Sequence, residues 1–328
     1  MAVDPRQQLQ TNEFYHDPVM LRECLEGLGL GENSHLSSGT FADCTLGGGG
    51  HSFAIANKLN NRGVLHAFDR DQDAVAFASK RLAGVAPQFV IHPVPFGELG
   101  NEIAAGSLDG VLYDLGISSH QVDDSSRGFT FVGNNPLDLR MDRREDVSAQ
   151  EYLQKVSVEE LSEALRKNSD MERSFKLATA LVEMTEKVVA NQSQILPSHV
   201  KEVVEAVYPD KRRDTNGLLA RVFQAIRIEI NGEMKQIETS LRAAVNCLKV
   251  GGRLVVMSYH SVEDRCVKET AAEFEKDCIC PERQPVCTCG GNHRRLKKVN
   301  RKPILPTEEE IKMNSRARSA KLRVYERV

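Results

Sequence analysis

The stretch Phe41-Ala-Asp-Cys-Thr-Leu-Gly-Gly-Gly-Gly-His-Ser52 constrains this chain more than any other. A short apolar run ends in Asp43, four glycines follow, and an apolar, helix-like segment runs from Phe53 to Leu59. Such a pattern predicts a strand turning sharply into a helix. Glycine at the turn permits positive φ and lets a ligand approach the backbone without meeting a Cβ. The helix after it directs free N–H groups back at the turn. Downstream, Val64-Leu-His-Ala-Phe-Asp69 reads as a buried strand ending in a carboxylate. An acid there, about 20 residues past a glycine turn, is where nucleotide-binding α/β folds grip ribose hydroxyls. Four glycines also suit an ordinary loop, and Asp69 could cap the helix starting near Asp71. The ordered series of strand, turn, helix, strand and acid favours a nucleoside site.

A dinucleotide fingerprint wants G-x-G-x-x-G. Counting from Gly47, its last glycine position is Ser52. Asp-x-Thr-x-Gly-x-Gly-Gly-His-Ser instead resembles the first motif of S-adenosyl-L-methionine (AdoMet)-dependent methyltransferases.

The rest of the chain supplies the frame. The segment Tyr15-His-Asp-Pro-Val-Met20 leads into a helix from Leu21 to Leu28. Strands are expected at about Gly39–Asp43, Val64–Asp69, Phe89–His92, Leu108–Asp114 and Gly251–Ser258, with a helix over Asp71–Leu82. Strand–helix alternation implies a parallel, doubly wound sheet with its site at the carboxyl ends of the strands. From Ser148 to about Tyr208 the pattern is helical, with capping boxes at Ser148/Glu151 and Ser157/Glu160 and an N-cap at Ser198. One long helix is expected over Leu218–Leu248, a helix capped by Ser261 through Glu275, and an edge strand over Ser319–Tyr325. The expected domains are 1–120 and 216–328 for the sheet and 121–215 for an inserted helical domain.

Charge is uneven. The net charge is −3, yet His293–Val328 holds 12 Lys/Arg against four acids, leaving −11 on the remainder. A basic tail on an acidic body suggests a polyanionic partner, although such a tail could simply be solvated. No apolar run approaches the ~20 residues of a membrane helix, and Met1–Thr11 lacks the apolar core of a secretory signal. The expected location is cytoplasmic, or organellar if a leader has been removed. Of eight cysteines, four cluster as Cys278-x-Cys280 and Cys287-x-Cys289. Four thiols suffice for zinc, but the spacing is C-x-C where C-x-x-C is usual. Reduced thiols in a loop are the plainer expectation, and no metal is assigned.

Further motifs are long and specific. They are Leu115-Gly-Ile-Ser-Ser119 with Gln121-Val-Asp-Asp124, Arg127-Gly-Phe-Thr-Phe131, Pro136-Leu-Asp-Leu-Arg-Met-Asp142, Phe223-Gln-Ala-Ile-Arg-Ile228, Ser258-Tyr-His-Ser-Val-Glu-Asp-Arg265 and Arg316-Ala-Arg-Ser-Ala-Lys-Leu-Arg323. From about Tyr15 to the C-terminus, the chain resembles the bacterial small-subunit ribosomal RNA cytosine-N4 methyltransferase family, the RsmH/MraW type. It departs from the family pattern at His120, Val250, Ser315 and Asn216–Arg221. The resemblance implies an α/β fold: a class I AdoMet-dependent methyltransferase domain, Rossmann-like and doubly wound, with an inserted all-helical domain. The implied activity is methylation of the exocyclic amine of one decoding-centre cytosine. Gly49, Gly50 and His51 would line the methionine part of AdoMet, Asp69 would hold the ribose, Phe96 would sit near the adenine, and Asp114 and Gln121 would close the site. Asp114 is also the catalytic candidate, with Asp142 or His260 contacting the target. The implied partner is the small ribosomal subunit or its 16S-type rRNA, gripped by the basic tail and Lys211-Arg212-Arg213, with no membrane and with a homodimer left open. A nicotinamide-dependent oxidoreductase, a non-catalytic rRNA-binding assembly factor and a DNA cytosine methyltransferase remain as alternatives.

Overall fold

The computed structural model describes residues 18–328 except 33, 132–134, 146 and 282–283, and at 119, 120 and 212 the backbone alone. Tyr15, His16 and Asp17 of the start segment, and the side chains of His120 and Arg212, lie outside the described residues.

Among the described residues seven strands form one sheet: β1 (Thr40–Asp43), β2 (Val64–Phe68), β3 (Gln88–His92), β4 (Leu108–Asp114), β5 (Leu248–Ser258), β6 (Leu296–Lys298) and β7 (Lys321–Arg327). Their spatial order is β3-β2-β1-β4-β5-β7-β6. The first five in that order are parallel, and β7 runs antiparallel to both β5 and β6. Alternate residues supply the two faces, as a period of two demands. Phe41, Leu112, Val255 and Met257 enter one core beside Ile55, Leu65 and Ala78. Ala42, Val111, Tyr113, Leu254 and Val256 enter the other, beside Leu99, Ile237 and Leu241. Both faces are therefore covered by helices, the doubly wound α/β arrangement.

The remaining helices build a second core. Segments Ala149–Lys155, Val158–Ser169, Ser174–Ala190, Pro197–Val207 and Thr215–Asn231 pack through Leu153, Leu161, Leu165, Leu177, Leu181, Val200, Val204, Val222 and Ile226. Both capping boxes form: Ser148 N–H donates to Glu151 Oε2 (2.8 Å) and Ser157 N–H to Glu160 Oε2 (3.0 Å). The chain divides into a sheet unit, up to Gly116 and from Met234 onward, and a helical unit, Ile117–Glu233.

Several local expectations are corrected. The long helix is two helices, Thr215–Asn231 and Glu233–Cys247, broken at Gly232, whose φ is +60°. Thr215–Asn231 packs within the helical core, so that unit begins at 117 and ends at 233, in place of 121 and 215. β7 is no edge strand, because β6, three residues long, pairs on its far side. Leu196 precedes the helix where Ser198 was expected, since Pro197 takes the first helical position and its fixed φ and missing N–H suit that place. Among the described residues no helix is long and apolar enough to cross a membrane.

Candidate active site at the carboxyl ends of the parallel strands

β1 lies between β2 and β4, so chain connections leave in opposite directions on its two sides. Open α/β sheets bind ligands in the crevice at such a switch point. Three strands deliver an acid there: Asp43 from β1, Asp69 just past β2 and Asp114 from β4.

Asp43, fully buried, braces the turn. Its Oδ1 accepts from Thr45 N–H (3.0 Å) and its Oδ2 from Ser52 Oγ (2.7 Å) in the first turn of helix Gly50–Ala56. Thr45 Oγ1 in turn accepts from the backbone N–H of Asp114 (2.7 Å), tying the β1 turn to the end of β4. The glycines are sterically required. Gly49 has φ +73°, and a Cβ there would stand 3.1 Å from that of Ala78; a Cβ on Gly50 would meet Pro18 Cγ at 2.5 Å.

Asp69 closes this turn from β2. Its Oδ2 accepts from Gly47 N–H (2.8 Å) and its Oδ1 from Asp71 N–H (2.9 Å). Burial pushes its carboxyl up to about 6, against the pull of those two N–H groups. Two hydrogen bonds leave part of the acceptor capacity of a carboxylate unused. Asp71, not Asp69, caps the following helix, accepting from Asp73 N–H (3.1 Å).

His51 and Asp114 come together. His51 Nε2 lies 3.0 Å from the Val19 carbonyl, and its Nδ1 lies 3.5 Å from Asp114 Oδ2. The other oxygen, Oδ1, accepts from the Tyr259 hydroxyl (2.7 Å). Burial raises the Asp114 carboxyl above the usual range; His51 and Tyr259 draw it down, and Asp43 and Glu263 push it up. A carboxyl so placed, at the end of a strand and held by a phenol, is suited to accept a proton from a bound group. Phe96, half-buried, packs edge-on against Tyr113 with ring centroids 5.9 Å apart, beside a backbone N–H, that of Gly97, held by Gln236 Oε1 (2.9 Å).

Other expected residues make contacts of their own. Gln121 belongs to the helical unit, where its Oε1 accepts from Ser118 N–H (3.1 Å). Asp142, in the same unit, is clasped by Arg144 (2.6 Å). His260 is the N-cap of helix Ser261–Glu275, its Nδ1 accepting from Glu263 N–H (3.3 Å), so Ser261 is the first helical residue and not the cap. The basic tail is folded into the sheet: Lys297 pairs with Glu326, Lys298 with Glu275 and Arg323 with Asp264. Lys211 pairs with Glu172 (2.7 Å). Sequence reasoning missed Thr45 and Tyr259 as parts of the site; Tyr259 stands just beyond β5, the position corresponding to that of Asp69 after β2.

A family model described as the MraW methylase family matches residues 13–328. The chain belongs to the MraW methylase family. Within it, "Ribosomal RNA small subunit methyltransferase H" of Clostridioides difficile (strain 630) is 37% identical over 320 residues, 96% of this chain and 100% of the relative. The protein of the same name from Finegoldia magna is 37% identical over 322 residues, 96% of this chain and 99% of the relative. A solved rRNA methylase from Streptococcus thermophilus aligns over 94% of this chain and 95% of its own at 12% identity, with a TM-score of 0.38, too loose a likeness to add to the family match.

Proposed function

We propose that this MraW-family chain transfers the methyl group of AdoMet to the N4 amine of a cytidine in small-subunit, 16S-type rRNA at the decoding centre, and does so in the cytoplasm. The observation that carries the reading is the Asp114 carboxyl, raised by burial and held by Tyr259 at the end of β4. The names of the near-full-length relatives supply the substrate class.

The residues at the switch point suit AdoMet. Asp69 has acceptor capacity left for a vicinal diol, and the glycine turn offers backbone without side chains. His51 and Asp114 would face the methionine part, and Phe96 the adenine. When bound, AdoMet supplies an electrophilic sulfonium methyl. The protein must do the rest. Cytosine N4 is a poor nucleophile because its lone pair is delocalised into the ring. An acceptor for its N–H localises that pair and takes the proton, while fixed walls align the attack. Asp114 is the group we assign to that acceptor role, with Tyr259 as its positioning partner. The nicotinamide reading is weakened at Ser52: where a dinucleotide fingerprint needs glycine, this hydroxyl is committed to Asp43. RNA would be held largely through its phosphates, by cations other than those the fold has paired.

The test is incubation with methyl-labelled AdoMet and small subunits, or free 16S-type rRNA, from a strain lacking the activity, followed by nucleoside mass analysis. N4-methylcytidine is the expected product. Subunit binding without transfer would favour the assembly-factor reading, and a methyl on another atom would overturn the chemistry.

A further inference from the structure

The loop between helix Ser261–Glu275 and β6 lacks the usual means of holding a shape. Its apolar residues Ile279 and Val286 are 63% and 71% exposed. Yet its neck is closed by backbone bonds: His293 N–H donates to the Asp277 carbonyl (3.1 Å) and Arg295 N–H to that of Phe274 (2.7 Å). Asn292 N–H adds a bond to Asp277 Oδ1 (3.1 Å). What gathers at its centre is sulfur. Cys278, Cys280, Cys287 and Cys289 are all free thiols, and their four Sγ atoms lie within 4.8 Å of one another. Cys278–Cys287, Cys287–Cys289 and Cys278–Cys289 are each 3.6 Å apart. Four sulfurs at about 2.3 Å from one zinc would form a tetrahedron with edges of about 3.8 Å.

The backbone is arranged as thiolate ligands need. Thr288 N–H donates to Cys280 Sγ (3.3 Å). Immediately after Cys289, Gly290, Gly291 and Asn292 all have positive φ (80°, 70° and 63°), a turn that only such residues make cheaply. His293 Nε2, 3.1 Å from the Cys289 carbonyl, holds that turn against the cluster. Each C-x-C arm reaches the same point, so the unusual spacing does not prevent convergence.

We propose that Cys278, Cys280, Cys287 and Cys289 bind one zinc ion in a structural, tetrahedral all-sulfur site that staples this loop. Binding forms four zinc–sulfur bonds and releases the thiol protons to solvent; no electrons move. An all-thiolate tetrahedron is the donor set of zinc or iron, and a closed four-coordinate site with no open position serves structure and not reaction. The site stands apart from the acids at the strand ends and does not depend on the reading given for them.

Elemental analysis of the full chain, purified with reductant and without chelator, tests this. About one zinc per chain is expected. Cobalt exchanged into the site should show the intense visible bands of tetrahedral cobalt–thiolate. The Cys278→Ser/Cys289→Ser double variant should lose the metal, while Cys266→Ser, outside the cluster, should keep it. Limited proteolysis should cut between 276 and 293 only after chelation or in the double variant. No zinc after dialysis against equimolar zinc under reductant overturns the proposal. So does zinc retained by the double variant, or stoichiometric iron in its place. Should the double variant fail to fold, the wild-type stoichiometry and cobalt spectrum decide by themselves.

Discussion

The two units use their polar groups differently. In the helical unit, Arg227 and Glu233 form a buried pair at 2.7 and 3.1 Å. Asn231 accepts from Met141 N–H (2.8 Å) and donates to the carbonyls of Leu139 and Arg227 (both 2.8 Å). Arg127 donates to the carbonyls of Arg140 and Met141 (3.1 and 2.9 Å). These groups are spent on one another or on the backbone, fixing a non-helical segment and a helix end. In the sheet unit the acids at the strand ends are graded. Asp43 is committed to Thr45 and Ser52, whereas Asp69 has acceptor capacity in reserve and Asp114 sits between a phenol and an imidazole. Architecture and chemistry thus call for polar groups in different states. What separates them is whether a group has bonding capacity left once the fold is made.

That comparison is open to mutation. The largest effect is expected at Asp114: Asp114→Asn should keep the shape yet lower single-turnover methyl transfer by ~10²–10⁴-fold, and full activity would remove Asp114 from the chemistry. Next comes the helical unit. Glu233→Ala strands Arg227 and should cost about 3–5 kcal/mol in denaturant unfolding, while AdoMet affinity of the folded fraction stays unchanged. Asp69→Ala should weaken AdoMet by about 10–100-fold in calorimetry, the worth of charge-assisted bonds of about 1.5–3 kcal/mol, an effect on the ligand that Glu233→Ala should lack. Gly49→Ala should cost about 1–2 kcal/mol, because an L-residue resists that φ.

The dependence on pH is the most diagnostic. The Asp69 carboxyl sits at about 6 against an ordinary 3.8. Its folded value is raised, so its contribution to stability is present at low pH and is lost as pH rises from about 4 to about 6. AdoMet affinity should run the other way, flat above pH 6 and falling by up to tenfold per unit below it. This pH dependence should vanish in Asp69→Ala.

Much of this was legible in the chain because buried parallel strands announce themselves as apolar runs ending in an acid. Asp69 and Asp114 could be named from that alone, whereas His51 came from the family resemblance. Asp114–Tyr259 and Asp114–Thr45 could not, because their bonds join residues 145 and 69 apart in sequence, a closeness that only the sheet order creates. β6 escaped because three residues hold no periodicity, and its absence made β7 look like an edge. The break at Gly232 was written in the sequence as a C-terminal glycine but was hidden by apolar spacing that continues through it. The C-x-C arms raised zinc as an option, but their spacing could not show that four sulfurs meet, since that depends on how the loop folds back on itself.

Calorimetric titration of the wild-type chain with AdoMet, its demethylated product and a nicotinamide dinucleotide addresses the central claim most directly. Saturable heat with both sulfur nucleosides, and none with the dinucleotide, is the predicted result. Heat with the dinucleotide alone would contradict a pocket built from the glycine turn and Asp69 for a sulfonium nucleoside.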